Sequence, residues 1–211
     1  MYHSNEFDTV YLHKNDIKNW KSSLVFSVRF GEVFSKLKPQ KYKINKFIQI
    51  DENYIINLGN VSIKTINAFG HTPGSVCFID NYHKIIFTGD AVGSGSGVLL
   101  CIPGSLKIQE YNESLKKLIL KLEPYKEYTF LGGHSNQSIK TNEEPKNSFF
   151  LGSKGTPYAK PLNFKIVEDM QILCEKIITK TIIPQKTYFL GFTKLAVYEY
   201  KNARITLKAK Y

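Results

Sequence analysis

The sequence predicts a mixed α/β fold, and three features of the chain lead to that prediction. Residues 51–90 contain short β-branched and apolar runs separated by turn residues, as neighbouring strands do. Two later stretches repeat apolar residues at the spacing of an amphipathic helix, and three further β-rich runs end the chain. A chain of 211 residues suits one large domain, so we expect a single domain over residues 1–211.

The N-terminal part is predicted to form one strand followed by a helix. Residues 9–12 are a short β-branched run, and Asn15 or Asp16 can cap a helix behind it. Ile17, Trp20 and Leu24 then recur at helical spacing. We therefore expect the chain to turn from strand to helix near residue 16.

The middle of the chain is predicted to be strand and turn. Residues 54–58 and 61–68 form two β-rich runs that meet at Gly59-Asn60, a dipeptide typical of hairpin turns. Two more runs, over 76–79 and 84–88, are separated by a polar turn. This spacing indicates four consecutive strands.

Two helices are predicted after these strands. In the first, apolar residues recur at helical spacing over 111–122, and Pro124 helps to end it. In the second, the apolar face spans 166–178, with Asn163 as a candidate cap. A short strand over 128–131 lies between the helices. The strands that end the chain are predicted over 187–190, 195–200 and 203–207.

The net charge of +11 is the clearest feature of the composition. Clustered cations attract nucleic acids, but only Arg29 and Arg204 are arginines, and the other 27 cations are lysines, which lack arginine's planar bidentate contacts. The charge therefore argues against a nucleic-acid partner. The densest lysine cluster, over residues 36–46, leaves open an alternative in which the chain is a non-catalytic module that binds an acidic partner.

The sequence also indicates a compartment. No apolar run reaches the roughly 20 residues that cross a bilayer, and the first residues lack the features of a secretory signal. Cys77, Cys101 and Cys174 are isolated from one another and lie among apolar neighbours, as buried thiols in a reducing compartment do. We expect a cytoplasmic protein with no membrane partner.

Three polar residues each follow an apolar strand and have glycine beside them. They are His71 in GHTPGS, Asp90 in TGD and His134 in GGH. Loops at strand ends commonly hold functional groups on a rigid scaffold. Two imidazoles and one carboxylate form a ligand set that suits zinc, manganese or iron. The sequence therefore predicts a metal site built from these three residues.

The order and spacing of these motifs resemble the metallo-β-lactamase-fold metallohydrolase superfamily over about residues 8–140, leaving 141–211 less recognisable. The resemblance implies an α/β fold, a four-layer αβ/βα sandwich with two mixed sheets, incomplete at the N-terminus. It also implies two divalent metal ions, for which zinc is the main expectation and manganese and iron are alternatives. His71 would bind the first metal, Asp90 would bridge both as the catalytic residue, and His134 would bind the second. Such metals generate a hydroxide that attacks a carbonyl or phosphoryl centre.

One signature of that family is absent from the chain. The H-x-H-x-D-H motif would supply two ligands to each metal, but His3 and His13 are the only histidines before His71. Catalytic zinc normally has three protein ligands, and His71 with Asp90 supplies two. We expect a truncated chain that begins just after the motif, binds metal weakly or not at all, and hydrolyses little by itself. Rescue by His3 or His13 is a minor alternative.

The residue at position 90 narrows the implied chemistry. An aspartate there, rather than cysteine or serine, resembles the lactonase, glyoxalase II and phosphodiesterase branches and not the true β-lactamases. We expect a small-molecule substrate. Two alternatives stay open: half of a split or swapped enzyme completed by another chain, and a homodimer formed through an unpaired sheet edge.

Overall fold

The structure, a computed structural model, describes residues 8–17, 47–93, 97–133 and 161–209. Its strands form a five-stranded sheet, a four-stranded sheet and a separate two-stranded pair. Both larger sheets combine parallel and antiparallel neighbours. The described residues therefore confirm the predicted mixed α/β fold with two mixed sheets. The single-domain boundary over 1–211 stays a prediction.

The two-stranded pair holds the N-terminal segment. Strands β1 (Val10–His13) and β2 (Phe47–Ile50) run parallel. The sequence predicts β1 to within one residue but gives no strand at β2. One 3-10 turn, Lys14–Asp16, follows β1, and its cap is His13, whose side chain accepts a hydrogen bond from the Asn15 amide. The helix predicted beyond Ile17 lies mostly outside the described residues.

The five-stranded sheet carries the loops of the predicted site. Its order is β3-β4-β5-β6-β8, and only β6 and β8 run parallel. The predicted hairpin is confirmed, and Gly59 in its turn has a φ of 90°, which favours glycine. The strands are β3 (Ile55–Asn57), β4 (Ser62–Asn67), β5 (Val76–Asp80), β6 (Ile85–Gly89) and β8 (Thr129–Gly132).

The four-stranded sheet contains the C-terminal meander. Its order is β7-β11-β10-β9, and the three C-terminal strands are antiparallel, as predicted. β7 has only two residues, is not predicted from the sequence, and runs parallel to β11. The strands are β7 (Val98–Leu99), β9 (Lys186–Leu190), β10 (Thr193–Tyr200) and β11 (Ala203–Lys208).

Both predicted helices are present. Helix α1 (Ile108–Leu122) buries the face that contains Tyr111 and Leu115, and a short 3-10 turn containing Pro124 follows it. Helix α2 (Lys165–Ile178) has Phe164 at its N-cap, one residue after the predicted cap Asn163, whose side-chain oxygen accepts the Lys165 amide at 3.1 Å. Neither described helix is long and apolar enough to cross a membrane.

The hydrophobic core lies around the two helices. They pack against each other, α1 also contacts β4, and α2 contacts β10 and β11. Phe130 of β8 and Met170 of α2 are fully buried there. Cys77 and Cys174 are buried as predicted, and burial raises the pKa of Cys77 to about 12, so this thiol is not a nucleophile at neutral pH. Cys101 is half-buried, and burial raises its pKa too.

Candidate functional site

His71 lies in the middle of the loop between β4 and β5, and a backbone carbonyl orients its ring. Nδ1 lies 3.0 Å from the carbonyl oxygen of Leu99. A carbonyl only accepts, so Nδ1 carries the proton and donates. A neutral ring bonded in this way has the lone pair of Nε2 on its other side. Metal-binding histidines are commonly oriented in this way.

Asp90 directly follows β6, at the same edge of the sheet. The parallel pairing of β6 with β8 brings Gly133 alongside it, and the Gly133 amide donates to the Gly89 carbonyl at 3.1 Å. A Cβ added at Gly133 would lie 2.9 Å from Oδ1 of Asp90. Glycine at this position therefore leaves the space that the carboxylate occupies.

The structure brings His71 and Asp90 together. Nε2 of His71 lies 3.9 Å from Oδ2 of Asp90, and the two side chains are 19% and 35% exposed. This distance is too long for a hydrogen bond. It is close to the separation of two ligands on one tetrahedral zinc ion, about 3.3 Å for bonds of roughly 2.0–2.1 Å. The pair therefore fits two positions of a metal site.

The ligand set of the described residues stops at two. No group of three His, Cys, Asp or Glu side chains that could hold a metal occurs within the described ranges. His134, the third predicted ligand, follows Gly133 and lies outside them, as do His3 and the lysine cluster over 36–46. These assignments stay predictions.

Asp16 contacts this site, although the sequence suggests only a helix cap for it. Its Oδ2 accepts the hydroxyl of Thr72 at 2.7 Å, and its Oδ1 accepts the amide of Gly74 at 2.9 Å. The neighbouring Asn15 donates its side-chain amide to the carbonyl of Pro73 at 3.0 Å. The signal available in the sequence is a carboxylate three residues after the end of β1.

His13, the alternative metal ligand considered above, has hydrogen-bond partners at both ring nitrogens. Its ring is buried, Nδ1 accepts the Asn15 amide at 3.1 Å, and Nε2 therefore donates to Oδ1 of Asp51 at 3.2 Å. The Lys14 ammonium and the Glu52 amide hold the pKa of Asp51 well below its usual range. The structure thus places His13 in a hydrogen-bonded pair separate from His71 and Asp90.

His83 forms a third histidine–carboxylate pair. Its Nδ1 lies 2.7 Å from Oδ2 of Asp80, and its amide donates to Oδ1 at 2.9 Å. The side chain of His83 is 53% exposed, which agrees with its predicted place in a solvated turn. The pair lies at the opposite end of β5 from His71.

Comparisons with known proteins agree with this architecture. A family model described as the metallo-beta-lactamase superfamily matches residues 5–134. Acyl-coenzyme A thioesterase MBLAC2 of Gallus gallus is 32% identical over 87 residues, which are 41% of this chain and 31% of that protein. Hydroxyacylglutathione hydrolase GloC of Haemophilus influenzae is 27% identical over 104 residues, 49% of this chain and 47% of that protein.

A solved structure shares the fold. It is that of an archaeal metallo-beta-lactamase superfamily protein from Sulfolobus tokodaii, with a TM-score of 0.52 and 19% identity. The similarity covers 87% of this chain and 62% of that one. The chain therefore matches less than half the length of the two curated relatives, and less than two thirds of the solved structure.

Proposed function

The chain belongs to the metallo-β-lactamase superfamily, and from this premise we propose that it contributes to a metal-dependent hydrolase of acyl thioesters. The observation that carries the proposal is the approach of His71 Nε2 to Asp90 Oδ2 at 3.9 Å. It offers one imidazole nitrogen and one carboxylate oxygen to a shared ion. His134 is the third ligand in this proposal.

The names of two relatives support the substrate class. One is an acyl-coenzyme A thioesterase and the other a hydroxyacylglutathione hydrolase. Coenzyme A and glutathione are both thiols, so each name describes an acyl group carried on sulfur. An aspartate at position 90 is what the resemblance implies for the glyoxalase II branch, but equally for the lactonase and phosphodiesterase branches, so the choice of thioesters rests on these two names.

Residues of this chain supply orientation and charge to such a centre. Bound divalent ions provide Lewis acidity and an activated water molecule. The Leu99 carbonyl keeps the proton of His71 on Nδ1, so that Nε2 is the metal-facing atom. Gly133 leaves the space for the Asp90 carboxylate. Zinc suits this nitrogen and oxygen set, with manganese and iron as alternatives.

We further propose that the 211-residue chain alone binds metal weakly and hydrolyses little. It contains five histidines and no H-x-H-x-D-H sequence. Three candidate ligands shared between two ions leave each ion below the three protein ligands typical of catalytic zinc. His13, bonded to Asp51, supports the same proposal because its ring nitrogens are already engaged.

Zinc content after dialysis against a mild chelator tests the metal part of this proposal. We expect well under one zinc per chain, and near-stoichiometric zinc would contradict it. The hydrolase part is tested with an acyl-coenzyme A in millimolar zinc or manganese, following release of the thiol. Slow hydrolysis should be lost in His71→Ala, Asp90→Ala and His134→Ala, and kept in His83→Ala. Equal rates in all four variants would overturn the assignment of these ligands.

A further inference from the structure

The loop between β4 and β5, which contains His71, is contacted by the N-terminal segment of the chain. Hydrogen bonds inside the loop, such as the Thr72 amide to the Ser75 hydroxyl at 3.0 Å, fix its shape. These bonds do not fix the position of the loop relative to β7, whose Leu99 carbonyl is the hydrogen-bond acceptor of His71 Nδ1. Contacts from outside the loop must do that.

Asp16 provides two of these outside contacts. Its carboxylate accepts the Thr72 hydroxyl with one oxygen and the Gly74 amide with the other, at 2.7 and 2.9 Å. Hydrogen bonds to an ionised carboxylate are stronger than hydrogen bonds between two neutral groups, and Asp16 accepts both of these bonds with its carboxylate. Because Thr72 directly follows His71, the carboxylate holds the backbone one residue from the imidazole.

Gly74 lies so close to this carboxylate that no larger residue fits at position 74 without a shift. A Cβ added at Gly74 would lie 2.5 Å from Cγ of Asp16 and 2.9 Å from its backbone nitrogen. The φ of Gly74 is not in the left-handed region, so the close approach, and not the backbone conformation, is what calls for glycine. Asp16 and Gly74 thus form a complementary contact between the N-terminal segment and the site loop.

We infer that Asp16 is the positioning residue of this site, because its carboxylate sets the His71 loop so that Nδ1 reaches Leu99 and Nε2 faces Asp90. The inference rests on the proposed function in one respect, the role of His71 as a ligand. A merely structural Asp16 would stabilise the fold without changing which imidazole nitrogen carries the proton.

The test is ¹⁵N NMR of the His71 imidazole and of the Gly74 amide, without metal, at about pH 8, which lies above the unperturbed histidine pKa of about 6.5. In the wild type we expect the Nδ1–H tautomer and a slowly exchanging Gly74 amide. In Asp16→Ala we expect a mixture of tautomers and Gly74 exchange at least about tenfold faster. An unchanged tautomer would overturn the inference, whether or not the Gly74 amide exchanges faster. Asp8→Ala, an exposed carboxylate of the same segment, is the matched control.

Gly74→Ala keeps the test decisive if Asp16→Ala is poorly folded, and a double-mutant cycle adds to it where both variants fold. Gly74→Ala should shift the tautomer and lower the Tm in the wild type, because its methyl group displaces Asp16. Adding Gly74→Ala to Asp16→Ala should leave the tautomer unchanged and lower the Tm less than it does in the wild type, since only the close contact with the backbone nitrogen of residue 16 then remains. Additive effects in the double variant would contradict the inference.

A metal arm separates this inference from the proposed function. Zinc affinity is measured for the wild type, His71→Ala and Asp16→Ala. If His71→Ala binds zinc as the wild type does, the ligand assignment fails, and the tautomer still decides the role of Asp16. If His71→Ala loses affinity and the tautomer of Asp16→Ala is unchanged, the positioning role alone fails.

Discussion

The two ends of β5 each carry a histidine beside a carboxylate, and the pairs differ in geometry. At one end, Asp80 and His83 come from a single turn and touch at 2.7 Å. At the other, His71 and Asp90 come from two loops and stand 3.9 Å apart, with Nδ1 of His71 bonded to a backbone carbonyl. In the closed pair the two side chains bond to each other, whereas the separated pair, in which the Leu99 carbonyl holds His71, leaves room for a ligand between its members.

The backbone around the two pairs differs in the same way. Gly70 beside His71 packs so closely against Tyr111 that an added Cβ would lie 2.4 Å from its ring. The turn at the other end is open, and Tyr82 and His83 are exposed. The site loop is therefore a constrained element, while the Asp80–His83 turn tolerates change.

The largest effect is expected for Gly70→Ala. The added methyl group would push the buried ring of Tyr111, whose hydroxyl donates to the Ala91 carbonyl at 2.6 Å, beside Asp90. We expect a loss of about 2–3 kcal/mol in the free energy of unfolding, as for an overpacked core. Urea unfolding measures it, with Gly59→Ala as a control that has no atom within 4 Å of its added Cβ but a positive φ. A loss at Gly70 no larger than at Gly59 would remove the contrast.

The second-largest effect is expected on zinc affinity, which should depend on the His71–Asp90 pair and not on the Asp80–His83 pair. Removing one of so few ligands should weaken zinc binding by at least tenfold, or about 1.4 kcal/mol. We expect this for Asp90→Ala and His71→Ala, and a change within about twofold for His83→Ala, whose ring is occupied by Asp80. Isothermal titration calorimetry measures the four affinities. A larger loss in His83→Ala than in His71→Ala would reverse the comparison.

Gly133→Ala should act on the separated pair with a smaller effect. Its Cβ would lie 2.9 Å from Oδ1 of Asp90, which displaces the carboxylate while His71 stays in place. We expect a severalfold loss of zinc affinity and a cost of about 1 kcal/mol in stability. The same calorimetry and urea unfolding report both. Wild-type affinity in this variant would show that Asp90 need not hold its position.

The Asp80–His83 pair should make the free energy of unfolding depend on pH. The His83 amide, followed by its imidazole, lowers the pKa of Asp80 below its usual value. A carboxyl group whose pKa is lower in the folded state stabilises the protein above its unfolded pKa, about 3.9, and loses that contribution as pH falls through the folded pKa. The stability difference between wild type and Asp80→Asn should therefore shrink below about pH 4. A difference that is constant down to about pH 2 would contradict the pair.

The smallest effect is expected for Lys84→Gly in the same turn. Lys84 has a φ of 56°, which glycine adopts without strain. Relief of strain is partly offset by the chain entropy of glycine, so we expect a gain of about 0.5 kcal/mol. Thermal unfolding is enough to detect the sign. A loss of stability would show that the turn is more constrained than its exposure indicates.

The sequence predicts the parts of this fold that depend on local pattern. The hairpin at Gly59, the face of α1 around Tyr111 and the C-terminal meander all follow from residues close together in the chain. β2 and β7 are missed because each pairs with a distant strand: Phe47 lies opposite Val10, and Val98 opposite Ile205. Partners so far apart leave no periodic signal in a run of two to four residues.

The site shows the same division. The proximity of His71 and Asp90 follows from the motifs and the resemblance, because Asp90 directly follows one recognisable strand and His71 lies in the short loop between two others. The contact of Asp16 with Gly74 joins residues 58 positions apart and is visible only once β1 has its place. Asp16 looked like a helix cap because short polar residues after a strand serve both purposes.

Anomalous diffraction from crystals of the full 211-residue chain grown in millimolar manganese or zinc tests the central claim most directly. We predict a metal peak between Nε2 of His71 and Oδ2 of Asp90, at partial occupancy because the ligand set is incomplete. A peak at His83 and Asp80 with none at His71 would contradict the account, since the closed pair would then be the metal site.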